Sequence, residues 1–382
     1  MIIGIDASNI KNGGGLTHLV ELIKNTRSDS NYFSKIIIYA PVETLKKIPD
    51  KEWLEKCTHS YLNSIVLYML LWQKYYSGKE FRSKNTDVLF VPGGSYTGNF
   101  KPFVTMSRNM LPIELHEAFR YKSFIKRFRF IFLRYSQIKT FRKAQGLIFL
   151  TEYAKEKTMA ILNKKTINVN MIPHGINNVF ICPPREQKDI SEYNEKKPYR
   201  LLYVSPITVY KHQWCLVEAV HRLREMKIPV ELDLIGTYYK PAFQKYQKAI
   251  LIFDPKESFI HYHGPIYHPE LAGYYKNADA FVYASSCENM PNIVLEAMAA
   301  GLPIASSDRG PMPEILKDSG YYFNPENIDS IVNALHAMIS NKDKRTENSN
   351  GTFKLVKNYS WKKTSDRTFK YLYDINQKAK NI

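Results

Sequence analysis

AFVYASSCENMPNIVLEAMAAGLPIASSDRGPMPEIL, residues 280–316, holds an apolar run, a polar loop, a helical pattern and a second apolar run in that order. Pro291 has the fixed φ that suits a first helical turn, and Gly301 is placed to close the helix. Strand, helix and strand in so short a span predict a βαβ unit with parallel strands. In such a unit the helix start faces the carboxyl end of the sheet, where open α/β folds bind ligands, and its free N–H groups favour an anion. Glu288 in the loop and Glu296 in the helix are separated by seven residues, so both can line one cleft. A plainer reading is also open: two glutamates near a helix start complement its dipole and solvate a face.

The same grammar extends to both sides. Towards the N-terminus of the stretch lie RLLYVS, the helical WCLVEAVHRLREM, VELDLIG, a helix near Ala242 to Ile250, FIHYHG and a helix near Leu271 to Lys276; beyond it follows DSIVNALHAMIS. An earlier series, IIGID, THLVELIK, KIIIYAP, DVLFVP, FVTMS, GLIFL and VNMIP, repeats the alternation. Between the series runs a polar, proline-bearing segment. Two doubly wound domains in tandem are therefore expected: residues 1–180, a linker at 181–199 and residues 200–360. The tail, with Trp361, Phe369, Leu372, Tyr373 and Ile375, reads as a helix over 361–382 that docks back on the first domain.

Composition agrees with that picture. A chain of 382 residues with 44% apolar and 24% charged residues is an ordinary folded protein, neither collagenous, disordered nor polytopic. The formal charge of +18 should attract polyanions, anionic lipid or phosphorylated substrates. Cys57, Cys182, Cys215 and Cys287 are far apart, which suits neither a disulfide framework nor a zinc ribbon and predicts reduced thiols in the cytoplasm. No signal-peptide pattern opens the chain, and the longest apolar run, Ile65 to Trp72, has eight residues where a spanning helix needs about 20.

ENMPNIVLEAMAAGLPIASSD resembles the E-x7-E segment of retaining glycosyltransferases of family four (glycosyl transferases group 1), of the bacterial polysaccharide and lipopolysaccharide type. The resemblance implies the GT-B architecture, two Rossmann-like domains facing a central cleft, with Glu288 holding donor-sugar hydroxyls and Glu296 the ribose of a sugar nucleotide. By the same resemblance Asn289 and Asn292 belong to the donor site. YVSPITVYKHQWCLVEAV is similar to the segment in which an Arg and a Lys clamp the donor pyrophosphate; Lys211 matches the Lys, while Pro206 stands where the Arg is expected. His212 or Arg309 could supply the missing charge. HYHGPIYHPELAGYYKNAD resembles the segment whose backbone receives the base, which implies Gly264, Pro265 and Ile266 beside it. His261, His263 and His268 invite a metal reading, but only the first two share a strand face and no third, acidic ligand is evident, so no metal is expected.

In the first half, Gly13, Gly14 and Gly15 lie between the first strand and first helix. They let the backbone approach a phosphate or simply form a flexible turn, and both readings stand on the residues alone. The order is not GxGxxG. It looks like the family's glycine-rich loop that reaches the donor phosphate, and MIPHGIN, with His174 and Gly175, resembles the family's segment at the interdomain edge. VTMSRNMLPIELHE exposes Ser107, Arg108, Asn109 and His116 after a strand. With acceptors bound on such loops in GT-B enzymes, Arg108, Asn109, His116 and His174 are the acceptor-side candidates, against the alternative of a loop capped by its own side chains. Gly93, Gly94 and Ser95 end the preceding strand.

No acidic side chain occurs between Ala118 and Leu150, while nine residues from Arg120 to Lys143 are basic. At about 100° per residue, Tyr121, Phe124, Ile125, Phe128, Ile131, Phe132 and Tyr135 share an arc of roughly 120°. The plain reading turns that arc to a core and leaves a solvated cationic back. Phe119, Phe130 and Leu133, however, project from within the cationic side, so the segment Phe119 to Lys143 is expected to lay that side on an anionic membrane surface.

These readings converge on an expectation: a retaining, metal-independent hexosyltransferase without a cofactor. It takes a nucleotide-diphosphate sugar of UDP or GDP type and extends a glycan or lipid-linked acceptor in bacterial surface polysaccharide synthesis, peripherally at the inner face of the plasma membrane. Two alternatives remain open, a sugar-nucleotide epimerase on the same fold and a basic nucleic-acid-binding protein, although nucleic acid is not the expected partner.

Overall fold

A computed structural model describes residues 1–27, 31–163 and 168–381. It divides into two units, Met1–Ala118 with Lys122–Gly175 and Ser360–Ile382, and Ile176–Tyr359 with Phe119–Tyr121.

The first unit is built on seven parallel strands, β1 (Ile2–Asp6), β2 (Lys35–Tyr39), β3 (Leu54–Cys57), β4 (Val88–Val91), β5 (Phe103–Met106), β6 (Gly146–Phe149) and β7 (Asn168–Met171), in the order β3-β2-β1-β4-β5-β6-β7. VLFV and FVTM are buried at every position, as parallel strands covered on both faces require. The order reverses between β1 and β4, and the loops after those strands open at the carboxyl edge, where ligands bind in such sheets.

The second unit has six parallel strands, β8 (Tyr199–Val204), β9 (Val230–Ile235), β10 (Ile260–Gly264), β11 (Ala280–Tyr283), β12 (Ile304–Ser307) and β13 (Gly320–Phe323), ordered β10-β9-β8-β11-β12-β13. Its switch point lies between β8 and β11. The two strand-end loops there carry Lys211 and Glu288.

The tail forms the helix Trp361–Lys380, counted in the first unit, with Trp361, Phe369, Leu372 and Ile375 buried. Ser365 Oγ meets Thr26 Oγ1 at 2.9 Å, and Thr364 Oγ1 donates to the Pro173 carbonyl at 2.8 Å. The segment expected as a linker at 181–199 is instead built into the second unit. The Cys182 N–H donates to the Ala299 carbonyl at 2.9 Å, and the buried Arg345 reaches the Lys188 carbonyl, so the segment is tied to that unit at both points.

The basic segment also differs from expectation. Its helix is Phe124–Lys143, capped by Ser123, while Phe119–Tyr121 belongs to the second unit, where Arg120 pairs with Glu326. Gln137, Thr140 and Phe141 are buried and Phe130 and Leu133 half-buried, so the side read as lipid-facing turns toward the protein. The apolar arc faces out: Phe124 is 81% exposed, Ile125 82% and Phe128 76%. Among the described residues no helix is long and apolar enough to cross a membrane.

Candidate functional site

In the second unit, Glu288 follows β11 and Lys211 follows β8. The turn before the helix Gln213–Glu225 uses His212 at φ 50°, which swings Lys211 beneath the Glu288 loop. Their ion pair is largely buried, with side chains 8% and 15% exposed. Tyr283 OH at 2.7 Å and Ser285 Oγ at 2.6 Å also donate to Glu288 Oε1. Lys211 and Tyr283 are themselves hydrogen-bonded at 2.5 Å. All three donors converge on one oxygen, which leaves Oε2 with none of them. Burial, reinforced by the Glu288 charge, pushes the Tyr283 phenol well up, so it remains a donor.

Glu296 lies in the buried helix Asn292–Ala299. Its Oε2 accepts from Tyr275 OH at 3.0 Å, and its Oε1 is 3.0 Å from His268 Nε2. Burial first, and the Glu296 charge second, raise the Tyr275 phenol. Pro291 caps this helix without a side-chain hydrogen bond, its first turn carries no acid, and Asn292 Oδ1 is buried without a partner. Among the described residues, neither a side-chain cap nor a first-turn acid offsets the positive end of this helix. Asn289 is buried in the loop before it.

The two residues considered as substitutes for a cation at Pro206 have partners of their own in the second unit. His212 is buried, 3.0 Å from Ser286 Oγ, and burial pulls it down to about 4, so it is neutral at pH 7. Arg309 is committed to Glu326 at 2.5 Å and to Asn324 at 3.0 Å. Among the described residues, Lys211 is the cation that pairs with Glu288.

Gly264 ends β10 at φ +70°, a conformation favouring glycine, and leads into the exposed Pro265 and half-buried Ile266. The histidines of β10 do have acidic neighbours, which the sequence reading missed because they come from another strand: His263 Nε2 is 2.6 Å from Asp233 and His261 Nε2 3.7 Å from Glu231. Even so, among the described residues no three His, Cys, Asp or Glu come together as a metal site.

In the first unit, Gly13, Gly14 and Gly15 are the first turn of the helix Gly13–Lys24 rather than a loop. Asn12 caps it without a side-chain bond. A methyl group on Gly15 would come within 2.5 Å of the Arg108 guanidinium, so glycine here is what lets Arg108 reach the helix start. Arg108 Nε and Nη1 are buried without partners among the described residues, and burial lowers the group only to about 10, leaving it cationic.

The other acceptor-side candidates go elsewhere. Asn109 Oδ1 accepts from the Leu111 N–H at 3.1 Å and closes its own turn, the bland alternative for this loop. His116 stands on the short helix Leu115–Ala118 with its side chain 71% exposed. His174 is buried rather than at an open edge: its Nδ1 is 3.1 Å from His18 Nδ1, and its ring lies 5.5 Å from that of Trp361. Burial and Arg108 hold both histidines down, His174 to about 3. Ser107 is buried, its N–H bonded to the Ile148 carbonyl, and Asn9 bridges to the Gly93 carbonyl at 3.2 Å beside Gly94 and the buried Ser95. His18 went unnoticed in the sequence because it falls on the helix's apolar stripe beside Leu19 and Leu22. Tyr275, Tyr283 and Ser285 carried no signal beyond their strand and helix patterns.

The two parallel-sheet Rossmann-like units match those of GT-B glycosyltransferase structures. Residues 184–354 match the family model of glycosyl transferases group 1. The fold aligns with sucrose-phosphate synthase from Thermosynechococcus elongatus at a TM-score of 0.75 and 14% identity, covering 97% of this chain and 98% of that one. It aligns with Anabaena Alr3699/HepE, solved in complex with UDP-glucose, at a TM-score of 0.68 and 14% identity, covering 100% of each chain. In sequence, the O-antigen chain mannosyltransferase B of Escherichia coli is 25% identical over 168 residues, 44% of either chain. This chain spans about half or less of the length of the curated relatives it matches.

Proposed function

We propose that the protein is a retaining glycosyltransferase that moves a hexose from a nucleotide-diphosphate sugar of UDP or GDP type to a glycan or lipid-linked acceptor in bacterial surface polysaccharide synthesis. The observation that carries this reading is the Glu288 and Glu296 pair, one on the loop and one in the helix of a segment inside the matched family region. In this reading Glu288 Oε2 takes a sugar hydroxyl, Glu296 takes the ribose in competition with His268, and Gly264 to Ile266 meet the base. The departing diphosphate gathers negative charge, which Lys211 and the helix start at Asn292 stabilise without reorganising. The relatives support the two finer choices: one of the solved folds holds UDP-glucose, and a sequence relative is named for O-antigen chains.

Arg108, whose Nε and Nη1 have no partner among the described residues, is the proposed acceptor-side group, and it suits an acceptor bearing phosphate or carboxylate. The reaction proceeds without a metal, the role of cation falling to Lys211. The test is incubation with UDP- and GDP-hexoses and lipid-linked acceptors, followed by mass spectrometry and determination of anomeric configuration. A product of inverted configuration overturns retention, loss of turnover in EDTA restored by magnesium or manganese overturns metal independence, and an isomer formed from sugar nucleotide alone replaces the reading with epimerisation.

A further inference from the structure

The outward arc of the helix Phe124–Lys143 leaves Phe124, Ile125, Phe128, Phe132 and Tyr135 exposed. A single exposed apolar residue is ordinary, but a row along one helix marks a surface built to be covered. At about 100° per residue the same arc continues through Lys139, Arg142 and Lys143, so the apolar half is followed by a basic end on one line. A second segment of this unit does the same: Ile65, Val66 and Leu67, at the start of the helix Val66–Trp72, are each about three-fifths exposed. One loop ties the two together. The Tyr96 N–H donates to Thr140 Oγ1 at 2.9 Å, and Thr97 Oγ1 donates to the Leu70 carbonyl at 3.2 Å. Both segments belong to connections that run in the same direction across the sheet, β3 to β4 and β5 to β6, and right-handed crossovers place them on one side of it.

We infer that this side of the first unit docks on an anionic lipid surface, with the phenylalanines and isoleucines entering the headgroup boundary and Lys139, Arg142 and Lys143 meeting phosphates. The helix is about 30 Å long and suits lying in the plane of an interface. Long basic side chains at its end can bury their stems while their charges stay at headgroup level. Charge decides between lipid and a second copy of the chain. The stretch between Ala118 and Leu150 has no carboxylate to set opposite a copy's basic end, and two bodies of formal charge +18 repel. A lipid surface supplies phosphate everywhere. The inference does not depend on glycosyl transfer.

Flotation with vesicles of phosphatidylglycerol and phosphatidylcholine, against phosphatidylcholine alone, tests it. The full chain floats with the anionic vesicles, and less so as salt rises. Phe124→Ser/Phe128→Ser/Phe132→Ser lowers the partition coefficient at least tenfold with an unchanged melting temperature, since these side chains are exposed. Lys139→Glu/Arg142→Glu/Lys143→Glu removes the preference for anionic vesicles. Absence of wild-type flotation, unchanged flotation of the serine variant, or a wild-type dimer that the serine variant turns monomeric each overturns the inference. UDP and GDP binding measured on the same preparations reports separately on the donor reading.

Discussion

Lys211 and Glu288, from two strand-end loops of the second unit, form a largely buried ion pair that Tyr283 completes by donating to Glu288 at 2.7 Å. Breaking such a pair on one side strands a charge and costs about 3–5 kcal/mol, whereas removing both partners is close to neutral. Lys211→Met and Glu288→Leu are each expected to lower the melting temperature and the double variant to recover most of the loss. Activity does not recover with it. Glu288→Gln, which keeps the shape, slows transfer roughly ten- to a hundredfold with nucleotide binding retained. Thermal melts and turnover of the four proteins check this, and an active double variant contradicts the assigned roles.

Glu296 and His268 give a prediction of opposite signs. Glu296→Ala removes the proposed ribose acceptor and weakens nucleotide binding roughly ten- to a hundredfold. His268→Ala frees Oε1, with which its Nε2 now makes a 3.0 Å contact, and is expected to leave affinity unchanged or raise it. Calorimetric titration with UDP and GDP distinguishes the two. Parallel loss in both variants would show that His268 binds the nucleotide itself.

Stability should fall in mild acid. His174 is held near 3, His18 well below its ordinary value and His212 near 4, each chiefly by burial. Unfolded, each takes a proton near pH 6.5. Below that pH the unfolded chain binds more protons than the folded one, so stability present at pH 7 is lost as pH falls. Asp6, raised to about 6 by burial, works in the other direction over the window from 6 to about 4, but one group opposes three. Urea midpoints are expected to drop between pH 7 and pH 4.5, and less steeply in His174→Gln. A pH-independent midpoint refutes the burial of neutral histidines.

Arg134 donates to the carbonyls of Pro112 and Ile113 at 3.1 and 2.6 Å. It braces the loop before the helix Leu115–Ala118 and does not point at solvent. Arg134→Ala is expected to lower stability by about 1.5–3 kcal/mol and to leave vesicle flotation unaltered. Denaturant unfolding and flotation of one preparation decide the matter.

The strands in the sheet interiors were legible because each is a short apolar run between turn residues, and the proposed donor segment was legible because its residue types and spacing are dense. The edge strands β3 and β13 were not, since LEKC and the Gly-Tyr-Tyr part of GYYF are half-buried and neither strand has a continuous apolar run. The helix Phe124–Lys143 was read with the wrong side outward. It carries two apolar sides, one of Phe130, Leu133 and Phe141 toward the protein and one of Phe124, Phe128 and Phe132 away from it, and periodicity cannot say which is covered. The donors to Glu288 and Glu296 come from Tyr283 and Tyr275, whose hydroxyls acquire meaning only when strands and helices meet.

The helix Trp361–Lys380 completes the core of the first unit, with its Thr364 and Tyr371 hydroxyls bonded to the carbonyls of Pro173 and Asn168. On a ribosome the sheet of the first unit therefore waits for a helix translated only after the second unit. All of Ile176 to Tyr359 is synthesised in between, which takes on the order of tens of seconds. The later-made unit can finish folding before the earlier-made one, and throughout that interval the surface destined for Trp361, Phe369 and Leu372 is open to chaperones and proteases.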